Sequence, residues 1–343
     1  MDTYPDQPLS YALAHPTQYF DFDACANTYQ SAPHTYPNAH ANSRTLNKMI
    51  LVTGGTGFVG QALLRHLVEA GHPVRTLVHP GQSPNLPRDL PIEVTLCNLD
   101  DERNMRAAMV DVEAIYHLVS VEWRGVRADL LKNDIQGTIA VLQAATGSGV
   151  KRFFYVSHLG TERASAYPVM KAKAIAEENI RRSGIDYTIL RSAILYGPRD
   201  HFTTRLVKLM RLLPFIFLLP GNGTTLLQPL WVEDLAACLT WALDIDDTRN
   251  QTYEIGGPEN LSFLQILTAV MENSGVRRRP IPIRPPYLRA ITVLIEHIYP
   301  KLPVSTYLLD YLATNRTCAL DTIPRVFKLM PSRFAQRLAY LRR

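Results

Sequence analysis

The stretch that decides the fold reads MILVTGGTGFVG and runs from Met49 to Gly60. Its first five residues are mostly apolar and predict a buried strand, and the periodicity from Phe58 to Ala70 predicts a helix. The glycines between them fit both a G-x-G-x-x-G and a G-x-x-G-x-x-G spacing. Such a turn lets the backbone approach a pyrophosphate, which the free N–H groups at the start of the helix can bind. The strand–turn–helix order therefore predicts a dinucleotide site, with a purely structural turn as the alternative.

Strands and helices alternate after this unit. The predicted strands are 74–79, 92–97, 114–119, 152–156 and 187–190, and the predicted helices are 130–146 and 168–182. Helices between successive strands require crossover connections, so the sheet should be parallel and covered on both faces. The predicted fold class is α/β, a doubly wound parallel Rossmann sheet with a smaller, mostly helical carboxyl-terminal lobe.

The chain divides into three regions by composition. Residues 1–48 are rich in Tyr, Pro, Asn, His and Ser without apolar periodicity, which predicts a disordered extension without the features of a targeting peptide. Residues 49–200 form the predicted dinucleotide-binding domain. Residues 201–343 form a predicted substrate or partner lobe that completes the same extended domain and ends in a basic tail.

Composition excludes several classes of protein. With 343 residues, 46% hydrophobic and 20% charged, the chain is neither a disordered polymer nor a collagen or coiled coil. The longest apolar run, 212–220, is half the length of a membrane span. The four cysteines form no close pair and the histidines lack metal-ligand spacing, so we expect reduced thiols, no metal site and a cytoplasmic protein.

Positive charge is concentrated at the carboxyl terminus. Residues 276–343 hold 13 Lys or Arg against 3 Asp or Glu, although the whole chain has a net charge of only +5. This bias predicts an anionic partner such as a membrane surface, or else a solvated face. No nucleic-acid-binding motif accompanies it, so nucleic acid is not expected. A short helix predicted in this tail carries three apolar residues on one face: Phe334, Leu338 and Leu341. This helix either attaches the protein peripherally to a membrane interface or docks on the protein itself.

The end of the second strand bears on cofactor choice. His79 stands nineteen positions after Gly60, where an acidic residue would bind the adenosine ribose of NAD. No acid is present, and Arg75 alternates onto the same side of the strand as His79. These features favour NADP(H) over NAD(H).

Three further stretches of the sequence add to the evidence from the glycine turn. They are YTILRSAILYGP at 187–198, QPLWVED at 228–234 and YEIGGP at 253–258. Together they resemble the atypical and extended short-chain dehydrogenase/reductases, from Met49 to the end of the chain. VSHL at 156–159 is similar to the nucleotide-binding accessory subunits of respiratory complex I and their bacterial relatives, and photosystem-assembly proteins share much of this pattern.

The resemblance implies cofactor contacts from the glycine turn and from the ends of the second, third and fourth strands. The implied residues are Gly54, Gly55, Thr56, Gly57, Phe58, Val59, Gly60, His79, Asn98, Leu99, Leu118, Val119 and Ser120.

Two sets of residues are candidates for the catalytic role. Active relatives use Ser or Thr, Tyr and Lys, and the tyrosine, its pKa lowered by the lysine, exchanges a proton with the substrate oxygen. Tyr167 and Lys171 have the Y-x-x-x-K spacing that places both on one helix face. The family register instead favours Lys173, which leaves Val169 at the tyrosine position, and it aligns His158 with the catalytic Ser or Thr. The alternatives to the Tyr167–Lys171 pair are therefore Lys173, Ser157 and His158.

Two functions follow from the resemblance. The first is an NADP-dependent oxidoreductase or epimerase acting on a hydroxyl or carbonyl group. The apolar runs 212–219 and 286–295 would then line a pocket for an isoprenoid or quinone-like substrate, or else form the core of the lobe. The second is a redox-inert nucleotide-binding accessory or assembly factor for a membrane respiratory or photosynthetic complex.

Overall fold

The computed structural model of the protein describes residues 49–81, 86–87, 89–99, 101–299 and 302–342. The predicted disordered extension, residues 1–48, lies outside the described residues.

Thirteen strands and ten α-helices make up this part of the chain. The strands are β1 (Met49–Thr53), β2 (Val74–Val78), β3 (Ile92–Leu96), β4 (Val112–His117), β5 (Arg152–His158), β6 (Asp186–Ser192), β7 (Leu195–Tyr196), β8 (Ile216–Pro220), β9 (Leu226–Leu227), β10 (Leu230–Trp231), β11 (Gln251–Ile255), β12 (Leu261–Ser262) and β13 (Arg279–Ile283). The helices are α1 (Phe58–Glu69), α2 (Glu102–Ala108), α3 (Gly137–Ala145), α4 (Pro168–Arg182), α5 (Thr203–Leu212), α6 (Val232–Trp241), α7 (Phe263–Ser274), α8 (Pro285–Ile298), α9 (Thr306–Tyr311) and α10 (Thr322–Phe327).

Seven of the strands form one parallel sheet in the order β11-β6-β5-β4-β1-β2-β3. The order reverses between β1 and β4, where the chain switches from one half of the sheet to the other. A crevice opens at such a switch point, at the carboxyl ends of the strands. The predicted α/β fold with a parallel Rossmann sheet is confirmed.

The central strand β1 is buried on both faces, as its continuous apolar sequence predicts. Ile50 and Val52 pack with α1 and α6 on one side of the sheet, and Leu51 packs with α2, α3 and α4 on the other. Glu233 of α6 accepts from Arg65 and contacts His66, so charged contacts join α6 to α1. The segment after residue 201 therefore returns to the sheet through α6 and β11.

A third core, here called the lobe core, joins α5, α7 and α9 to the last turn of the chain. Phe334, Leu338 and Leu341 are buried in it, and the backbone from Phe334 to Arg342 is a 3₁₀ helix. These side chains already pack against the protein itself, so they cannot also enter a membrane. The predicted membrane attachment through this apolar stripe is wrong, and the alternative, docking on the protein's own body, is confirmed.

Local structure departs from the prediction at several places. The predicted helix 130–146 is a π-helical turn, Leu131–Gln136, followed by α3. The sequence reading missed α2, which Asp101 caps by accepting from the Asn104 N–H, and it missed the strand β11. The apolar run 212–220 divides between the end of α5 and β8. Among the described residues, none of the helices combines the length and the apolarity that crossing a bilayer requires.

Candidate functional site

The glycine turn packs directly against the end of β4. Gly54 has a φ of +77°, and a Cβ there would lie 2.9 Å from the carbonyl carbon of Leu118. A Cβ on Gly60 would lie 2.2 Å from the Gly54 oxygen. Both positions require glycine for close backbone approach.

Gly57 is placed differently within the same turn. Its N–H donates to the Gly54 oxygen at 3.0 Å, and its φ of −77° suits any residue. A Cβ there would meet only the Gly54 oxygen, at 3.1 Å. The space beside Gly57 is therefore an open cradle at the start of α1, where helix N–H groups face outward.

A cavity of about 310 Å³ extends from this cradle along the carboxyl edge of the sheet. The start of α1, the end of β4, the segment after β6, and helices α5 and α9 line it. The predicted cofactor residues that line this cleft are Gly54, Gly57, Phe58, Val59, Gly60, Leu118 and Ser120. The site thus lies at the switch point between β1 and β4.

Asn98 follows β3, outside the lining of the cleft. Its Oδ1 is buried and has no hydrogen-bond partner among the described residues. A buried acceptor without a donor is costly, and an exocyclic amine such as that of adenine could satisfy it. Leu99 packs close to the start of α3, where a Cβ on Gly137 would lie 2.9 Å from the Leu99 Cδ1. The open cradle and this acceptor fit a dinucleotide.

The two basic groups on β2 and just after it have different surroundings. His79 is exposed, and its Nδ1 lies 2.7 Å from the Pro80 oxygen. Arg75 pairs with Glu93 at 2.7 Å and donates to the carbonyls of Ala108 and Val110. These contacts hold Arg75 beside the segment that leads into β4, away from the cleft. The expectation that Arg75 supports a 2′-phosphate is therefore wrong, and His79 is left as the basic group at this strand end.

The Tyr167–Lys171 pair does not meet at the cleft. Tyr167 precedes Pro168, has an extended backbone as the residue before α4, and packs partly buried against the lobe core. Lys171 is exposed, and neither residue lines the cavity. The structure gives no support to a catalytic role for this pair, because the proline places Tyr167 before the helix rather than inside it.

Lys173 occupies the buried position instead. Only 3% of its side chain is exposed, and its Nζ lies 3.2 Å from Asp134 Oδ1 and 3.9 Å from Glu122 Oε2. Ser120 Oγ donates to Asp134 at 2.7 Å and also contacts Glu122. Burial alone would lower the pKa of Lys173, but Tyr155, Asp134 and Glu122 outweigh it and raise that pKa, so the lysine stays charged.

No tyrosine accompanies Lys173 on its helix. The residue four positions earlier is Val169, which is buried in the lobe core. The ring of Tyr155 lies 5.2 Å from Lys173 Nζ, but it is buried in the sheet, does not line the cleft, and burial raises its pKa. Lys173 therefore has neither a tyrosine four positions earlier nor a cleft-lining Tyr155 whose phenol it could activate.

His158 and Tyr307 do reach the cleft. His158 Nε2 lies 3.4 Å from Glu122 Oε1 and 3.3 Å from the Tyr307 hydroxyl. Burial would raise the pKa of Glu122, but the charges of His158 and Lys173 hold it well below its usual range. Burial and the Glu122 carboxylate raise the pKa of Tyr307 well above its ordinary value, so this phenol stays protonated at neutral pH.

The other alternative, Ser157, is fully buried and bonds Thr161 at 3.1 Å without lining the cleft. Sequence reasoning missed Glu122, Asp134 and Tyr307. They come from segments far apart in the chain, and no local motif marks them.

Comparisons with known proteins agree with this architecture. The model of the NAD-dependent epimerase/dehydratase family matches residues 50–256, more than half of the chain. The chain belongs to this family. A crystal structure of the UDP-glucuronic acid 4-epimerase of Bacillus cereus, in complex with UDP-glucuronic acid and NAD, has a TM-score of 0.66 with 19% identity, covering 86% of this chain and 98% of that one. At this identity the likeness concerns the fold.

Two relatives have different names. The mitochondrial NADH dehydrogenase [ubiquinone] 1 alpha subcomplex subunit 9 of Arabidopsis thaliana is 32% identical over 221 residues, which are 61% of this chain and 53% of that protein. The ceramide reductase of Caulobacter vibrioides is 25% identical over 256 residues, 72% of this chain and 77% of that protein. The chain spans about half the length of the first of these, and the predicted resemblance to complex I accessory subunits is confirmed.

Proposed function

We propose that the protein binds NADP(H) in this cleft and retains it as a redox-inert accessory or assembly factor of a membrane complex. The observation that carries the proposal is Lys173, which is buried against Asp134 and has Val169 where a catalytic tyrosine would stand. The similarity to a subunit of NADH dehydrogenase supports the same function.

The chain's own residues account for binding. The N–H groups at the start of α1 face the space beside Gly57, where they would hold the pyrophosphate. Asn98 would accept from the adenine amine, and the exposed His79, rather than an acidic residue, stands at the strand end where a 2′-phosphate would lie. A bound nicotinamide supplies hydride transfer in enzymes that also provide a proton donor for the substrate.

The ion pair of Lys173 argues against proton exchange between a tyrosine and a substrate in this cleft. A lysine lowers the pKa of a phenol when its charge faces that phenol beside the substrate. Here the ammonium group is neutralised by Asp134 and Glu122. Tyr307, the phenol that lines the cleft, has its pKa shifted upward by burial and by Glu122.

A second candidate function, an NADP-dependent oxidoreductase or epimerase, rests on His158. Its imidazole lines the cleft between Glu122 and Tyr307, so a carboxylate orients a ring nitrogen that could act as a general acid or base toward a bound substrate. The similarity to a ceramide reductase favours a hydroxyl or carbonyl substrate with lipid character. The predicted isoprenoid pocket gains little support, since none of the residues 212–219 or 286–295 lines the cleft. Leu212 alone of them lines a second cavity, of about 560 Å³, which shares His201 and Arg205 with the cleft.

One experiment separates the two. The nucleotide that copurifies with the full chain is released and identified, and the protein loaded with NADPH is mixed with aldehydes, ketones and a quinone. Retention of about one nucleotide per chain without consumption of reduced nicotinamide supports the accessory function. Repeated turnover that is lost in a folded His158→Ala variant and kept in Tyr167→Phe would contradict it and support the oxidoreductase.

A further inference from the structure

Helix α8 has two different faces. One buries Leu288, Thr292 and Glu296 against the rest of the protein. The opposite face is apolar and exposed: the exposed fractions are 64% for Tyr287, 47% for Ile291, 60% for Leu294 and 56% for Ile298. Successive helical residues are about 100° apart, so these four side chains fall within about 60° of one another. They are here called the α8 stripe.

The buried face of α8 fixes the helix to the protein. Glu296 accepts from the Val126 N–H at 3.1 Å and from both the N–H and the hydroxyl of Thr306 at 3.0 Å. The Arg127 guanidinium donates to the His297 oxygen at 2.7 Å. The α8 stripe is therefore preformed, and a partner that binds it has little ordering entropy to overcome.

Cationic side chains border the α8 stripe, whereas the carboxylates of Glu296 and Asp310 are engaged in hydrogen bonds or an ion pair within the protein. Arg284 is exposed directly before the helix, and Arg127 is exposed beside its last turn. The carboxylate on α8 is Glu296, which is buried and fully engaged. Asp310 of α9 pairs with Arg289 at 2.7 Å. The exposed face thus combines apolar side chains with positive charge.

We propose that the α8 stripe docks the protein on the surface of an anionic lipid bilayer. An amphipathic helix of this kind lies in the interface plane, with its apolar side chains at the acyl boundary and its arginines among the headgroups. Tyr287 near the start of the helix and Tyr299 just after it suit the headgroup level, which tyrosine favours.

A second copy of the chain is a poorer occupant of this face. A two-fold contact through the α8 stripe would place Arg284 and Arg127 of both copies at one interface. Like charges repel there, whereas anionic headgroups complement them. The proposal concerns a surface outside the nucleotide cleft and holds whether or not the bound nucleotide turns over.

Co-sedimentation of the full chain with lipid vesicles tests the proposal. One set of vesicles contains phosphatidylcholine alone, and the other an equal mixture of phosphatidylcholine and phosphatidylserine. We expect the protein to pellet with the mixed vesicles at low salt and less so at physiological salt. Equal pelleting with both sets, or none with the mixed vesicles at low salt, would overturn the proposal.

Matched variants locate the surface. Ile291→Gln/Leu294→Gln should weaken binding to the mixed vesicles by at least about tenfold. The control, Val94→Gln/Leu96→Gln, alters side chains with exposed fractions of 45% and 60% on the edge strand β3 and should bind like the wild type. Equal binding by both double variants, each shown to be folded by its thermal unfolding, would overturn the proposal.

A charge variant and light scattering complete the test. Arg284→Gln should reduce binding to mixed vesicles at low salt and bind like the wild type when salt is high, because its effect is electrostatic. A dimer in light scattering that Ile291→Gln/Leu294→Gln abolishes, without vesicle binding by the wild type, would assign the face to a second copy and overturn the proposal.

Discussion

At the scale of the residue, the buried pair of Lys173 and Asp134 is the feature on which the proposed redox-inert function rests. Two groups that are 3% and 1% exposed lie 3.2 Å apart, and Ser120 adds a hydrogen bond to the same carboxylate. A buried pair of this kind is costly to break from one side, because the remaining charge has no compensation. The pair therefore holds the lysine charged and in one position, where it stabilises the fold.

Removing only the cation from this pair should destabilise the fold. We expect Lys173→Met to lower the free energy of unfolding by about 3–5 kcal/mol, because Asp134 stays buried and charged. Lys173→Met/Asp134→Asn should recover much of the loss, since the amide keeps an acceptor for Ser120. Urea denaturation measures both. A single variant as stable as the wild type would show that the pair is not what stabilises this site.

Nucleotide preference is also decided at the residue scale. We expect NADPH to bind more tightly than NADH, since the residue directly after β2 is the exposed His79 rather than an acid. His79→Asp should reverse the order, with a change of about tenfold from carboxylate–phosphate repulsion. His79→Asn is the uncharged control and should keep NADPH preferred. Calorimetric titrations decide, and a wild type that prefers NADH would refute the prediction.

Sequence reasoning reached only part of the site at this scale. The family register pointed to Lys173 and His158 as alternatives, because both lie in regular elements next to recognisable stretches; the structure buries Lys173 against Asp134 and places His158 in the lining of the cleft. The partners Glu122, Asp134 and Tyr307 come from a 3₁₀ turn, a π turn and a short helix. Their proximity is a tertiary result that no local spacing encodes.

At the scale of the element, Glu177 joins α4 to β6. It is buried, its Oε1 accepts from Arg191 Nε at 3.0 Å, and Oε2 accepts from Arg191 Nη2 at 2.8 Å and from Arg181 at 2.7 Å. Burial would raise the pKa of Glu177, but the hydrogen bonds from Arg191, Ser157 and Arg181 outweigh it and lower that pKa. The ionised carboxylate therefore stabilises the folded state.

The sign of the resulting pH dependence follows from this lowered pKa. The contribution is fully present above the unfolded-state pKa of 4.5 and is lost as the pH falls toward the folded-state value. Glu177→Gln should lower stability at neutral pH and remove up to about 1.4 kcal/mol per pH unit from the slope between about pH 5 and pH 3. Urea titrations across that range measure it; parallel wild-type and variant slopes would contradict the account.

The helices and strands were predicted best where two local signals in the sequence coincide. The strand β1, the glycine turn and α1 were predicted because apolar periodicity and glycine spacing coincide there. The apolar residues of the tail also have a helical period, yet a 3₁₀ helix buries them. The spacing of these residues follows from their burial in the lobe core. The sequence alone does not indicate whether the protein or a membrane buries them.

At the scale of the whole molecule, the cleft exists because distant parts of the chain meet at the switch point of the sheet. Gly54 follows β1, Leu118 follows β4, and Tyr307 lies on α9. The fold places the helix terminus of α1 at the floor of this cleft and the buried charges of Glu122 and Lys173 beside it. The proposed function rests on the claim that a dinucleotide binds there.

Titration calorimetry of NADPH into the wild type and Gly57→Val tests that claim most directly. The new side chain would enter the open cradle without backbone strain, so the variant should fold normally and bind at least about tenfold more weakly. Gly60→Val is the contrast: its Cβ would meet the Gly54 oxygen at 2.2 Å, so it should lose thermal stability as well. A folded Gly57→Val protein that binds NADPH with wild-type affinity would contradict the account.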